Sequence, residues 1–107
     1  MRTHLIAAAL IGCAVVAGTA LADDGDSQRG KQLYSAKMCN LCHTLAGESG
    51  PMAQVGGQLD GLAAKRDAAW MNAYLKDPTK VIPGAQMPKT ELTDQEIADL
   101  TAYLLSR

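Results

Sequence analysis

Apolar positions recur at helical intervals in three stretches of the chain, and nowhere do they alternate with the period of a strand. In the first stretch, residues 27–36, Asp26 or Ser27 can accept hydrogen bonds from the free amides of a helix start, and Leu33, Tyr34 and Ala36 supply an apolar face. Gly30 inside this helix costs roughly 1 kcal/mol against alanine, which predicts a close crossing with another helix. Residues 44–57 contain glycine and proline without a period, so a loop wrapped around something is expected. A short helix over 59–65 precedes a better one over 67–76, whose Trp70, Met71, Tyr74 and Leu75 share one face; Asp77-Pro78 stops it. Residues 81–90, with Pro83-Gly84 and Pro88, read as a second loop. Thr93-Asp94-Gln95-Glu96 is a capping box, with Leu92 and Ile97 spaced for a hydrophobic staple. The helix it opens runs to about Ser106, with Ile97, Leu100, Tyr103 and Leu104 facing inward. The pattern is all-α, without internal repeats.

The segment from Met1 to Ala22 stands apart. Arg2 gives it a positive start, Leu5 to Ala17 is almost wholly apolar, and Ala20-Leu21-Ala22 is a small-x-small site ahead of Asp23-Asp24. These are the parts of a secretory signal peptide, and the apolar run is short for a membrane span. Two other readings are an uncleaved anchor and a lipoprotein signal acylated at Cys13 of Leu10-Ile11-Gly12-Cys13. Against the latter, the apolar run before Cys13 is very short and the chain stays apolar after it. Cleavage after Ala22 leaves one domain, residues 23–107, with 9 basic against 11 acidic residues. That balance creates no strong field for nucleic acid or anionic lipid. It leaves one histidine, His43, and two cysteines, Cys39 and Cys42. With no Phe and one Trp, so small a domain has little core for its surface, and a bound group is expected to supply the missing stability.

Residues 39–43, Cys39-Asn40-Leu41-Cys42-His43, carry the chemistry. A redox dithiol wants its pair at a helix start after a buried strand, and here the pair follows a helix. A structural zinc ion wants four ligands, and the chain offers three in one clump. Covalent haem attachment suits the spacing best: two thiols add to two vinyl groups of a porphyrin, and the next histidine reaches the iron. One haem c per chain is therefore expected, held by Cys39 and Cys42 with His43 as an axial ligand. The absence of a second histidine excludes a bis-histidine iron in the mature chain. The sixth position falls to Met38, Met52, Met71, Met87, a lysine or nothing. Met87, in the proline-stiffened second loop, is the best placed.

The chain resembles bacterial class I cytochromes c over essentially the whole of residues 23–107. The matching residues are Gly30 with Tyr34, the Cys39–His43 motif, Gly50-Pro51, Tyr74-Leu75 with Asp77-Pro78, Ile82-Pro83-Gly84, Met87-Pro88, and Leu100 with Tyr103-Leu104. The resemblance implies three main helices, a short helix and loops around one haem, with His43 and Met87 ligating iron. It further implies that the Pro51 carbonyl accepts a hydrogen bond from His43, and that the Tyr74 hydroxyl lies near the Met87 sulfur. Partners for the haem propionates are not evident; Gln58, Lys65, Arg66 and Trp70 are candidates, although Lys65 and Arg66 read more simply as a solvated helix face.

Two strong axial ligands leave no open iron position, and no spare histidine remains for acid–base work, so electron transfer is expected and catalysis is not. The protein is expected in the periplasm, as a soluble shuttle or the haem subunit of an oxidoreductase, monomeric or within a heteromeric assembly. Its partners would be redox proteins such as a dehydrogenase, a reductase or a terminal oxidase, with no membrane span after cleavage. The alternative is a peroxidase-like enzyme or ligand sensor in which Met87 leaves the iron. Docking is expected around Met52, Ala53, Val55, Ile82 and Pro83, with Lys37, Lys80 and Lys89 as a positive rim.

Overall fold

The computed structural model describes residues 25–107, with Gly12 alone before them. Apart from Gly12, the segment expected to be a signal peptide, with its expected cleavage point and Cys13, lies outside the described residues. Helix α1, Ser27–Ala36, starts at Asp26, whose side chain accepts from the Gln28 and Arg29 amides. Its inward face is Leu33 and Tyr34; Ala36, expected on that face, is exposed, because the helix ends there and turns away from the core.

A 3₁₀ turn, Cys39–Leu41, leads into three minimal strands: β1 (His43–Leu45), β2 (Glu48–Ser49) and β3 (Gly57–Gln58). They form a sheet in the order β2-β1-β3, antiparallel on one side and parallel on the other. These strands, and the short helix α2 (Ala53–Gly56) between β2 and β3, correct the expectation of a structureless loop over 44–57. Two- and three-residue strands are too short to show alternation, and their pairing depends on partners distant in the chain.

The expected helix at 59–65 is a single 3₁₀ turn, Leu62–Ala64. Helix α3, Ala68–Lys76, is capped by Asp67, which accepts from the Trp70 amide. Asp77 ends it, but Pro78 then opens a further short helix, α4 (Pro78–Val81), which periodicity could not reveal in four residues. Helix α5, Asp94–Leu105, carries the full capping box: the Thr93 amide donates to Glu96 Oε1 at 2.9 Å, and the Glu96 amide to Thr93 Oγ1 at 3.1 Å.

The core joins α1, α3, α5 and β1 through Leu33, Tyr34, Leu45, Met71, Leu75, Ile97, Leu100, Tyr103 and Leu104. Gly30 sits where α1 crosses α5: a Cβ there would overlap the Asp99 carbonyl and stand 2.7 Å from the Tyr103 Cβ. The crossing is tied at one end by Asp99, which is fully buried. Its Oδ1 accepts from the Asp26 amide at 2.8 Å and from Gln95 Nε2 at 2.9 Å, while Arg29 Nε lies 3.4 Å from Oδ2. Among the described residues no helix is long and apolar enough to cross a membrane.

Candidate functional site

The turn after α1 places both thiols and the imidazole at one end of the core. Met38 adopts a left-handed conformation (φ 60°), which reverses the chain out of α1 and starts the 3₁₀ turn that carries Cys39 and Cys42. Both cysteines are free and half-buried. Burial pushes the Cys39 thiol above its ordinary pKa.

His43 opens β1 and is held by β3. Its Nδ1 lies 3.3 Å from the carbonyl oxygen of Gly57, its register partner in the parallel pair. A carbonyl can only accept, so Nδ1 carries the proton and the Nε2 lone pair is left to bind a metal. The adjacent Gly56 lies against the same ring: a Cβ there would stand 2.6 Å from Nδ1 and overlap the Cys42 carbonyl. The expectation that Pro51 accepts from His43 is thereby corrected. Pro51 is exposed, in the turn before α2, and the parallel pairing of β1 with β3 brings Gly57 to that position instead. Gly57, with φ 77° and ψ −171°, occupies backbone space open essentially to glycine alone.

Met87 approaches from the second loop. Ile82-Pro83-Gly84-Ala85 is a tight turn closed by the Ala85 amide on the Ile82 carbonyl at 3.0 Å. Proline at its second position and positive φ (81°) at Gly84 are what a type II turn requires. The turn directs Met87 inward, half-buried against the core. Tyr74, on α3, lines the same space as Met87, its ring stacked on Trp70 at 4.9 Å and 9°. Arg66 covers Trp70 in turn, its guanidinium carbon 4.3 Å from the ring centroid, so Arg66 is held on an aromatic face.

These groups surround two spaces with shared walls. An outer cleft of about 330 Å³ is lined by Cys42, His43, Tyr74, Met87 and the exposed Val55 and Ile82. A smaller inner cavity of about 50 Å³ is lined by Tyr34, Cys39, His43, Tyr74, Met87 and core leucines. Cys39, Cys42, His43, Tyr74 and Met87 are thus brought together, and Pro51 is not among them. Sequence reasoning also missed Gly56 and Gly57, for which the Gly-Gly doublet was the available signal, and the Tyr34 hydroxyl, which is buried without a hydrogen-bond partner among the described residues. Burial first, then the nearby Cys39, push the Tyr34 pKa up to about 12, so the phenol keeps its proton.

The residues fit haem. The walls are apolar, two thiols stand at the edge, and a histidine with its outer nitrogen already engaged shares the space with a thioether. This constellation defines a small helical protein built to hold a covalently tethered redox group. The family profile for cytochrome c matches residues 27–107, and the chain belongs to that family. It is 28% identical over 99 residues to cytochrome c of Tetrahymena pyriformis, covering 78% of this chain and 90% of the relative. It is 38% identical over 84 residues to one of the subunits of nitric oxide reductase from Cereibacter sphaeroides, covering 70% of this chain but 55% of the relative, so the match spans about half of that protein. The chain is a c-type cytochrome, and its role is to carry electrons on haem c.

Proposed function

We propose that the protein is a single-haem electron carrier of the periplasm in which His43 and Met87 ligate a low-spin iron and Cys39 and Cys42 bind the porphyrin through thioethers. The observation that carries this reading is the shared space of His43 and Met87, with both thiols on its walls. When bound, the haem supplies a one-electron couple whose ferrous state is favoured by a methionine ligand. The chain does the rest. Gly57 fixes the His43 tautomer, the type II turn at Pro83-Gly84 sets Met87, and Trp70 braces Tyr74 beside it. Leucines exclude water from the inner face, which lowers the reorganisation that accompanies each electron.

Electron exchange with a partner uses the outer cleft, where Val55 and Ile82 are 52% and 42% exposed. The expected lysine rim is rearranged. Lys37 Nζ donates to the Glu91 carbonyl at 3.2 Å and lies 3.9 Å from Glu96 Oε2, so it is committed to the start of α5. Lys80 and Lys89 instead join Lys76 and Asp77 around a separate groove of about 410 Å³. Lys80 and Lys89 have no ion-pair partner among the described residues, which suits them to steer an acidic redox protein. Likeness to part of a reductase supports a place in an oxidoreductase complex, and likeness to cytochrome c supports a shuttle. A catalytic chain that copurifies at high salt would select the former.

The test of the ligand set is spectroscopic. A pyridine haemochrome assay on protein matured in a bacterial periplasm should give one haem per chain that survives acid-acetone extraction. The ferric protein should show the red sulfur-to-iron charge-transfer band, and Met87→Ala should lose it together with low-spin character. A wild-type ferric spectrum without that band overturns methionine ligation.

A further inference from the structure

Met87 is delivered by a stretch of chain with little of its own to fix it. The turn at residues 82–85 closes on the Ala85 amide, and the capping box of α5 begins at Thr93. Between them, residues 86–92 exchange no backbone–backbone hydrogen bond among the described residues. Met87 and Leu92 are half-buried against the core, while Gln86, Pro88, Lys89 and Glu91 are exposed. Apolar contact has no direction, so these two side chains press the segment inward without setting where along the core it rests. Yet its position matters, because Gln86, Met87 and Pro88 line the outer cleft.

One hydrogen bond does reach the segment. Lys37 Nζ donates to the Glu91 carbonyl at 3.2 Å, across 54 positions of chain. Lys37 caps the end of α1, two residues before Cys39, so the donor starts from the same turn that carries the attachment thiols. Its ammonium is oriented as well: Glu96 Oε2 lies 3.9 Å away, while Glu96 Oε1 takes the Thr93 amide. Of the three ion pairs among the described residues, this is the one with both side chains largely covered, at 30% and 20% exposed, against 72% and 94% for Lys76 with Asp94. Partial shelter from water and a charged donor make its bond to the carbonyl stronger than an ordinary surface contact.

We propose that Lys37 is a positioning residue for Met87: by tying the Glu91 carbonyl to the end of α1, it latches residues 86–92 and keeps the thioether in the space it shares with His43. The inference rests on the reading of Met87 as an iron ligand. The turn at Pro83-Gly84 pins the chain on one side of Met87, and Lys37 pins it four residues beyond on the other. Without the latch, only apolar contact restrains the segment between Met87 and the start of α5, so Met87 leaves the iron more often.

The experiment is stopped-flow mixing of the ferric, haem-loaded protein with cyanide, at concentrations where the rate no longer rises and departure of Met87 sets it. Lys37→Ala should raise this limiting rate roughly three- to tenfold, the span of one lost hydrogen bond. Lys37→Arg, which still offers a cationic donor, should bring the rate back toward wild type, and Lys37→Gln, a neutral donor, should fall between. Asp99→Asn, which weakens the other end of the α1–α5 crossing, should lower the denaturant midpoint without quickening cyanide binding. A wild-type limiting rate in Lys37→Ala, whatever its denaturant midpoint, overturns the proposal, and so does an equal acceleration by Asp99→Asn. A wild-type ferric spectrum without the sulfur-to-iron band would instead overturn Met87 ligation itself, and recording it before mixing separates the two failures.

Discussion

The carbonyl oxygen of Gly57 lies 3.3 Å from Nδ1 of His43, directly across a parallel pair of strands only two or three residues long. The Gly56 amide donates to the Cys42 carbonyl at 2.8 Å and the Leu59 amide to the Thr44 carbonyl at 2.9 Å, so three successive contacts clamp the ligand segment. Fixing an imidazole by backbone alone leaves little tolerance for added atoms.

Gly56→Ala tests that tolerance. The new methyl group overlaps the Cys42 carbonyl and crowds the imidazole, neither of which can yield without moving β1. The variant should lose about 1–3 kcal/mol, as overpacked sites do, and should incorporate less haem per polypeptide. Thermal unfolding and the ratio of haem to protein check it; wild-type values in both would show that the clamp is slack.

Asp99 ties the start of α1 to α5. Alanine there strands the half-buried Asp26 amide, while the exposed Gln95 side chain turns to water, and should cost about 1–3 kcal/mol. Asparagine can still accept both bonds and gives up mainly the pairing with Arg29, whose side chain is 61% exposed, so it should cost clearly less. Denaturant titration of the two variants would reveal the order, and equal losses would mean that charge, not hydrogen bonding, matters at this site.

Glu96 makes stability depend on pH. Its carboxyl sits below the ordinary value of 4.5, chiefly because it accepts the Thr93 amide, with Lys37 adding attraction. The unfolded chain therefore takes up the proton first as pH falls. Glu96 contributes fully above its unfolded pKa, and that contribution is lost as pH drops through 4.5 toward the folded value. Glu96→Gln keeps an acceptor in the capping box but removes the charge, so the stability gap between wild type and variant should shrink from pH 6 to pH 3. A constant gap in chemical denaturation across that range would contradict the assignment.

Lysine steering gives a kinetic signature. Screening shortens from about 30 Å at 0.01 M salt to about 8 Å at 0.15 M. Reduction by an acidic redox partner should slow across that interval in stopped-flow mixing. The double variant Lys80→Ala with Lys89→Ala should be slower at low salt and less dependent on it. A rate insensitive to salt in the unmodified protein would remove these lysines from docking.

Much of the architecture is legible in the chain alone. Residues 27–36, 68–76 and 94–105 show their helices because the apolar spacing of Leu33 and Tyr34, of Met71 and Leu75, and of Ile97, Leu100 and Leu104 repeats with the helix itself. Asp26 and Thr93 mark two of the starts because a cap bonds amides two or three residues ahead, whereas Asp67, read as the first residue of its helix, is the cap of α3. The close crossing at Gly30 is legible for a similar reason, since a glycine inside a helix is a local cost that some contact must offset. Pairings between distant residues leave no such trace: nothing near Pro51 or Gly57 announces which carbonyl meets His43, and nothing near Lys37 shows that Glu91 and Glu96 will claim it.

By itself, then, the sequence determined the three longer helices, the caps at Asp26 and Thr93 and the attachment motif Cys39-Asn40-Leu41-Cys42-His43, because each depends on residues within a turn or two of one another. Only the tertiary structure decided that β3 would bring Gly57 to His43, that Met87 would share a cavity with it, and that Tyr34 would be sealed beside Cys39 with its hydroxyl unspent. Those outcomes depend on how the chain closes over tens of residues, where backbone hydrogen bonds and burial select the partner and local spacing carries no information.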